Sequence, residues 1–253
     1  MFKKPLLLKA TEHATLTVAE TTDWRFAAHE MLVPVVFSEM ADVAREYPLV
    51  FLKDKPLAYA LTGIEQGVNA YVTDDGKWLA TYIPAQLRCY PIGLTPLPNK
   101  PNEFAIVADA DAPQLVSQTG KLLFENGQPS AFLQQRLNLL KSLQQAERVT
   151  QALVKAIQDA GLLKYQNITV KKTGQQTTQI KGLQIVDEQK LNALPHEAFA
   201  KLRDQGALPL IYAHLLSLAN LRQGAIAGKY PQMQKQQDDL MAEMLKKDTI
   251  SFN

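Results

Sequence analysis

Tyr82, Arg88 and Tyr90 are the residues whose types and spacing best suit ligand recognition in this sequence. They lie within residues 78–91, where aromatic side chains flank one guanidinium group. A guanidinium binds carboxylates in a planar, bidentate geometry, and aromatic faces cover flat ligand surfaces or attract cations. The spacing therefore predicts a pocket for a carboxylate or a sugar. Arg88 would hold the anionic or hydroxyl-rich end, and the two tyrosines would cover the rest.

A second apolar segment, residues 38–47, carries the polar side chains that could complete this pocket. Its polar groups would be buried without partners unless the two segments lie side by side, because an unpaired polar group costs free energy in an apolar interior. We therefore expect Arg45 and Glu46 each to have a polar partner. The candidate ligand-binding residues are Glu39, Arg45, Tyr82, Arg88 and Tyr90.

The same residues also have a purely structural interpretation. Aromatic rings beside a strand end more often pack as a lid over the core, and Arg88 would then pair with Glu39 or Glu46. In that case, replacing Arg88 by alanine leaves a buried acid unpaired and costs about 3 to 5 kcal/mol of stability. If the cluster binds a ligand, the same replacement abolishes binding and leaves stability almost unchanged.

The sequence contains only weak patterns of metal-binding residues. Such sites need clustered His, Cys, Asp or Glu ligands, whereas the four histidines are scattered and Cys89 is the single cysteine. The run Asp109-Ala110-Asp111 has part of a calcium-loop spacing, but the glycine and glutamate of that loop are missing, which favours a turn at a strand end. The sequence predicts no metal site.

Catalytic motifs are equally weak. The sequence contains no Gly-x-Ser-x-Gly elbow and no glycine-rich phosphate loop. Cys89 follows Arg88, whose guanidinium could lower the thiol pKa, although a partly buried and inert thiol is the more common arrangement. We therefore expect no cofactor and favour a protein that is not an enzyme.

Composition narrows the class of partner. The chain has 253 residues, of which 46% are hydrophobic and 21% charged, as in ordinary globular proteins. Its 27 basic and 25 acidic residues give a net charge of +2, which is too small to favour nucleic acid as a partner. Residues 164–181 form a local lysine-rich stretch. It could contact phosphate or anionic polysaccharide, but such lysines more often protect a sheet edge from pairing.

The expected location follows from the cysteine content and the apolar runs. One cysteine allows no intrachain disulfide, which is typical of a reducing compartment. The apolar run before Lys9 is shorter than the roughly 7 to 15 residues of a secretory signal, and no run approaches the ~20 residues of a membrane span. The sequence predicts a cytoplasmic protein without a transmembrane segment.

Short strands should position these residues in the first half of the chain. Gly76 favours a tight hairpin turn between residues 71–72 and 78–79 because it readily adopts positive φ. Pro84 should start a short helix that brings Arg88 and Tyr90 close to the end of a strand at 78–83. Ser38 should cap a helix that ends at Tyr47. The predicted strands are residues 15–18, 49–53, 59–62, 70–73, 78–83 and 104–108, and 96–102 is a predicted exposed loop.

The second half should begin with a long helix over residues 130–160, with Ser130 as its cap and Gly161 at its end. Its apolar positions recur at spacings of three, four and seven and include Val149. Two strands, 165–170 and 179–186, should follow. The sequence then predicts a helical stretch that begins near residue 187 and two further helices, over residues 195–204 and 208–223.

These elements predict an α+β fold, with a mixed or mainly antiparallel sheet from the N-terminal half packed against the long helix and the C-terminal helices. We expect one domain over residues 1–228, with a possible sub-division near 128 into a β-rich part (1–128) and a helical part (129–228). Residues 229–253 have the poorest apolar pattern and are predicted to form a peripheral tail, whose removal should leave the fold intact.

The sequence also resembles the SapC proteins, a bacterial family associated with surface layers. The resemblance spans about residues 26–220, and Cys89 departs from it, since a second basic residue often follows Arg88 in similar sequences. The segments that carry it are residues 32–39, 44–48, 78–91, 123–127, 182–194 and 206–217.

The resemblance implies a surface-layer protein and supplies no catalytic residues. It favours a non-enzymatic binding or assembly protein with a protein or glycan partner, which reaches the cell surface by a non-classical route. The alternative is an enzyme or enzyme accessory that acts on a peptide or carbohydrate through the Arg88 and Tyr90 pocket. Titratable groups with perturbed pKa values that converge in a cleft would favour the enzyme.

Overall fold

A helix of 29 residues, Ala131–Asp159, connects two separate hydrophobic cores. The Ser130 Oγ accepts a hydrogen bond from the Leu133 amide at 3.2 Å, and Gly161 follows the helix with a φ of +66°. At 1.5 Å per residue the helix is about 43 Å long. The predicted helix and both of its terminal signals are therefore confirmed.

A computed structural model describes residues 2–98, 100–115, 120–171 and 177–231. The helices are α1 (Met40–Glu46), α2 (Ala85–Cys89), α3 (Ala131–Asp159), α4 (Glu188–Asn192), α5 (His196–Asp204), α6 (Leu208–Ser217), α7 (Asn220–Gln223) and α8 (Ala225–Lys229), with short 3-10 turns at Arg25–Ala27, Phe37–Glu39 and Pro113–Leu115. The strands are β1 (Pro5–Leu7), β2 (Thr17–Val18), β3 (Leu32–Val35), β4 (Leu49–Leu52), β5 (Lys55–Leu61), β6 (Ile92–Leu97), β7 (Lys100–Asp109), β8 (Lys121–Leu122), β9 (Phe124–Glu125), β10 (Gln128–Pro129), β11 (Leu163–Lys171) and β12 (Thr177–Val186).

The largest sheet has five strands in the order β11-β12-β4-β5-β3, and every pair in it is antiparallel. Three of its strands precede the long helix and two follow it. A second antiparallel sheet has the order β1-β7-β6. The α+β class is confirmed, and the main sheet draws strands from both halves of the chain.

Each half of α3 covers a different core. Its N-terminal half buries Leu133 and Leu137 against β1, β6 and β7, together with Cys89. Its C-terminal half buries Leu153 and Ile157 against the five-stranded sheet and the C-terminal helices. The long helix thus holds the two sheets in a fixed relation.

The structure differs from the sequence predictions in the burial of one helix position and in the extent of one helix. Val149, a predicted inward residue of α3, is 51% exposed, and Thr150 is buried instead. The Thr150 hydroxyl donates to the Ala146 carbonyl and accepts from the Phe37 amide, so its polarity is satisfied inside the core. The predicted helix over 208–223 is divided into α6 and α7.

Two loop predictions also changed. Ser38 does not cap α1, because a 3-10 turn precedes this helix and the Glu39 carboxylate accepts from the Val36 amide. Within the exposed loop predicted at 96–102, residues 96–97 belong to β6 and residues 100–102 to β7, because the two strands pair as far as Leu97 and Lys100.

Some predictions concern residues that the structure does not describe. Of the expected tail at 229–253, residues 232–253 lie outside the described residues, as do residues 172–176 of the lysine-rich stretch. None of the helices in the described part of the chain combines the length and the apolar character that crossing a bilayer requires.

Candidate functional site

The segment from Trp78 to Ile83 is held by side chains rather than by a neighbouring strand. The predicted turn is confirmed, since Gly76 has a φ of +85° and Val72 bridges Trp78. The strand predicted for residues 78–83 is wrong beyond that bridge. The Glu46 carboxylate accepts hydrogen bonds from the Thr81 and Tyr82 amides, so these amides do not need a strand partner.

Tyr47 fixes the same segment from the core side. Its hydroxyl donates to the Tyr82 carbonyl and accepts from the Trp78 indole nitrogen at 2.7 Å. Burial raises the pKa of Tyr47 above its ordinary value. The position of Tyr82 therefore depends on the end of α1, so the two predicted segments do lie side by side.

Glu39 is the buried acid at the centre of this contact and is only 5% exposed. Its Oε1 accepts from the Val36 amide at 3.0 Å. Its Oε2 accepts from the Tyr82 hydroxyl at 2.9 Å and from the Ala85 amide at 2.8 Å. Burial, followed by the nearby Glu39 charge, raises the pKa of Tyr82. Glu39 thus joins α1 to the first turn of α2.

Arg88 contacts Glu39 only through Tyr82. Its Nη2 lies 3.1 Å from the Tyr82 hydroxyl oxygen, and its guanidinium carbon lies 5.3 Å from the centroid of that ring. The direct ion pair expected with Glu39 or Glu46 is not formed, because amide and hydroxyl donors already occupy those carboxylates. Arg88 is exposed, which leaves its remaining donors free for a ligand.

Arg45 does not join the cluster. It is exposed on α1 and forms an ion pair with Asp42. Successive residues of a helix point about 100° apart, so Glu46 faces residues 81–82 while Arg45 faces solvent. The expectation of polar partners for both residues is confirmed, and the placement of Arg45 in the pocket is wrong.

Tyr90 faces away from Tyr82. Its hydroxyl donates to Asp109 at 2.9 Å, and its ring stacks on Phe26 with centroids 4.3 Å apart. Burial alone would raise the pKa of Asp109, but hydrogen bonds from the Lys3 and Lys4 amides, from Tyr90 and from the Asp111 amide lower it. The run Asp109-Ala110-Asp111 is thus a strand-end turn around a buried carboxylate, as predicted.

A cleft of about 280 Å³ opens on the other side of Arg88. Arg88 and Tyr90 line it, so these two sequence-predicted residues share a cavity that Glu39, Arg45 and Tyr82 do not line. The sequence reasoning missed the remaining polar and aromatic side chains of this cleft, which are Glu20, Thr21, Trp24, Phe26, Gln114, Phe132 and Arg136.

Arg136, one of the missed residues, is held against the backbone of Arg88. Arg136 Nη1 donates to the Arg88 carbonyl at 2.6 Å, and the Arg136 guanidinium carbon lies 5.5 Å from the centroid of the Phe132 ring. Phe132 and Arg136 are four residues apart on α3, a spacing that places them on one helix face. This spacing is the one signal in the sequence that could have identified the pair.

Three titratable groups of the cleft, Cys89, Tyr90 and Glu20, have pKa values that are shifted away from neutrality. Burial raises the pKa of the Cys89 thiol to about 11, although Arg136 and Arg88 partly oppose the shift. Burial and a hydrogen bond to Asp109 raise the pKa of Tyr90. A hydrogen bond from Lys121 lowers the pKa of Glu20. At neutral pH the thiol is therefore protonated, and the cleft carries the charges of two guanidinium groups and of the Glu20 carboxylate, which pairs with Lys121.

The state of Cys89 leads to a direct chemical test. Only 2% of the residue is exposed and the thiolate is the reactive form. We expect the native protein to react with a disulfide reagent at pH 8 at least ~100-fold more slowly than the same protein in denaturant. Equal rates in the two conditions would contradict the buried, protonated thiol.

Comparison with known proteins gives a family for this chain. No curated protein and no solved structure matches it. The family model of the SapC proteins, however, matches residues 8–223, which include every residue that lines the cleft. The chain therefore belongs to the SapC family.

Proposed function

We propose that this protein is a non-enzymatic binding or assembly protein of the bacterial surface layer that recognises a glycan through the cleft beside Arg88. The observation that carries the proposal is a cavity with two guanidinium groups and several aromatic rings in its lining. Guanidinium groups bind oxyanions in a bidentate geometry, and aromatic faces pack on flat apolar surfaces such as one side of a sugar ring. Membership of the SapC family supports the surface-layer association.

The size of the cleft favours a glycan over a folded protein surface. Stable protein interfaces bury about 800 Å² on each partner, usually over a broad and shallow surface. A cavity of about 280 Å³ lies just below the roughly 300 to 1,000 Å³ of small-molecule sites. The cleft therefore suits one small polar unit, such as a single sugar residue of a glycan.

The pKa values favour binding over catalysis. A general acid or base works best when its pKa lies near the working pH. Burial moves the pKa values of Cys89 and Tyr90 up, away from neutrality, and the hydrogen bond from Lys121 moves that of Glu20 down. Two of the three groups are thus held in their neutral form and the third as a carboxylate, which suits recognition better than proton transfer.

A binding comparison tests the proposal. Purified protein should bind immobilised polygalacturonate, an acidic polysaccharide, at least tenfold more tightly than dextran, a neutral one, at low salt. The difference should fall as salt is added, because ions screen exposed charges. Equal binding to both polymers, or selective capture of an envelope protein but neither polymer, would contradict a glycan partner.

Replacing Arg88 by alanine should separate the binding role from a structural one. Arg88 is exposed and each oxygen of Glu39 retains a backbone donor without it, so the free energy of unfolding should change by less than about 1 kcal/mol. Affinity for polygalacturonate should fall at least tenfold. The matched control is Arg203→Ala, since Arg203 is exposed on α5 and its ion pair among the described residues is with its neighbour Asp204.

The two measurements together decide the role of Arg88. A decrease of about 3 to 5 kcal/mol in the free energy of unfolding would show that Arg88 neutralises a buried acid. Unchanged stability with unchanged affinity would remove Arg88 from the proposed site.

A further inference from the structure

Gln114 carries an unsatisfied acceptor at the cleft. The residue is only 5% exposed and lines the cavity. Its Oε1 is buried and has no hydrogen-bond partner among the described residues. Because buried polar atoms are nearly always satisfied, this acceptor takes its donor from a bound water or from a ligand in the cleft that Gln114 lines.

The 3-10 turn Pro113–Leu115 holds this side chain in place. The Gln114 carbonyl accepts from the Ala19 amide at 3.0 Å, which ties the turn to the end of β2. Ala112 and Leu115, close to Gln114 in the sequence, are buried in the core that the N-terminal half of α3 forms with β1, β6 and β7. The backbone that carries the unsatisfied amide is therefore fixed before any ligand binds.

The two guanidinium groups are organised in the same way. Arg136 is tied to the Arg88 carbonyl of α2 and to the Phe132 ring of its own helix, α3. Arg88 is held against the Tyr82 ring. Such fixed donors lose less conformational entropy on binding than free surface side chains do.

We infer that the cleft binds one acidic sugar unit, whose oxyanion contacts Arg88 and Arg136 and one of whose hydroxyl groups donates to Gln114 Oε1. The oxyanion is a carboxylate or a phosphate, since a guanidinium binds both with the same bidentate geometry. An aromatic ring of the lining covers the apolar side of the sugar. This inference rests on the proposed function, because it names the unit of the glycan that the cleft would hold.

Small sugars test the inference directly on the full-length protein. Calorimetric titrations with glucuronate, glucose 6-phosphate, glucose and inorganic phosphate compare the oxyanion and the hydroxyl groups separately. We expect glucuronate or glucose 6-phosphate to bind at least tenfold more tightly than both glucose and inorganic phosphate. Whichever acidic sugar binds more tightly identifies the oxyanion.

Variants of Gln114 and Arg136 assign the contacts. Gln114→Met keeps an unbranched side chain and removes the acceptor, so affinity for the acidic sugar should fall about tenfold while the melting temperature does not decrease. Arg136→Gln should reduce the affinity by at least the same factor. Arg148→Gln is the matched control, because Arg148 is exposed on the same helix and does not line the cleft.

The outcomes distinguish this inference from the proposed function. Equal affinity for glucose and glucuronate, or unchanged affinity in Gln114→Met, would overturn the inference. Binding to polygalacturonate without binding to any of the small sugars would also overturn it and leave the proposed function standing. A wild-type protein that binds neither the polymer nor the sugars would overturn both.

Discussion

Replacing Glu39 by alanine is expected to lower the free energy of unfolding by about 3 to 5 kcal/mol. The carboxylate accepts from the Val36 and Ala85 amides and from the Tyr82 hydroxyl, and the residue is only 5% exposed. Its removal leaves two buried amide donors without acceptors, and each such donor costs about 1 to 3 kcal/mol. The loss of packing adds to this cost.

Denaturant unfolding of matched variants checks this prediction. Glu39→Gln keeps the shape of the side chain but turns one acceptor into a donor, so it should be destabilised by an intermediate amount. Glu46→Ala also removes the acceptor of two amides, but Thr81 is exposed, so water can reach its amide and the loss should be smaller.

Glu103→Ala is the control for an exposed acid, because Glu103 is exposed and its ion pair in the described part of the chain is with exposed Lys100. This replacement should change the free energy of unfolding by less than about 0.5 kcal/mol. A loss below about 1 kcal/mol for Glu39→Ala would show that Glu39 does not hold α1 against α2.

Acid should destabilise the protein through His214 well above the pH at which carboxylates titrate. The residue has no exposed surface, and its Nε2 accepts from the Val186 amide at 3.0 Å. Nδ1 must therefore carry the proton, and it has no hydrogen-bond partner of normal geometry in the described part of the chain. Burial lowers the pKa of His214 to about 4, and an interaction with the Leu49 backbone opposes the shift only in part.

The direction of the pH effect follows from this lowered pKa. An unfolded histidine has a pKa of about 6.5 and binds a proton that the folded protein rejects until the pH falls to about 4. This contribution to stability is complete above pH ~6.5 and is lost as the pH falls toward 4. The difference in pKa predicts a loss of about 3 kcal/mol over that range.

Urea unfolding at a series of pH values provides the measurement, with His214→Gln as the control. Glutamine can still accept from the Val186 amide but does not titrate, so the variant should lose most of the pH dependence between 6.5 and 4. Asp109 also has a lowered pKa, but an ordinary aspartate titrates near 3.9 and therefore acts mainly at lower pH. Equal slopes in the two proteins would contradict the role of His214.

Local signals in the sequence were sufficient for much of the fold. A capping side chain, an apolar repeat and a glycine in the left-handed region act over a few residues, and this is why the limits of α3 were predicted from Ser130 and Gly161. The turn at Gly76 and the short helix after Pro84 were predicted for the same reason. The α+β class followed from the order of these elements.

Only the tertiary structure decided which polar groups meet. Arg45 and Glu46 are neighbours in sequence, yet one faces solvent and the other accepts from the Thr81 and Tyr82 amides. The strand expected at residues 78–83 was replaced by these side-chain contacts. A local pattern gives the direction of a side chain on its own element, but the partner depends on how distant elements pack.

The cleft illustrates the same limit most clearly. The cleft is lined from four separate parts of the chain, by Trp24, Arg88, Gln114 and Arg136. No spacing in the sequence connects Trp24 or Gln114 with Arg88. The last three of the four lining residues meet because the core beside β1, β6 and β7 buries the 3-10 turn, the end of α2 and the start of α3 against one another. Trp24 packs on a third apolar cluster, which contains Leu87 of α2. The sequence alone determined the elements, whereas burial of distant apolar faces in a common core determined the site.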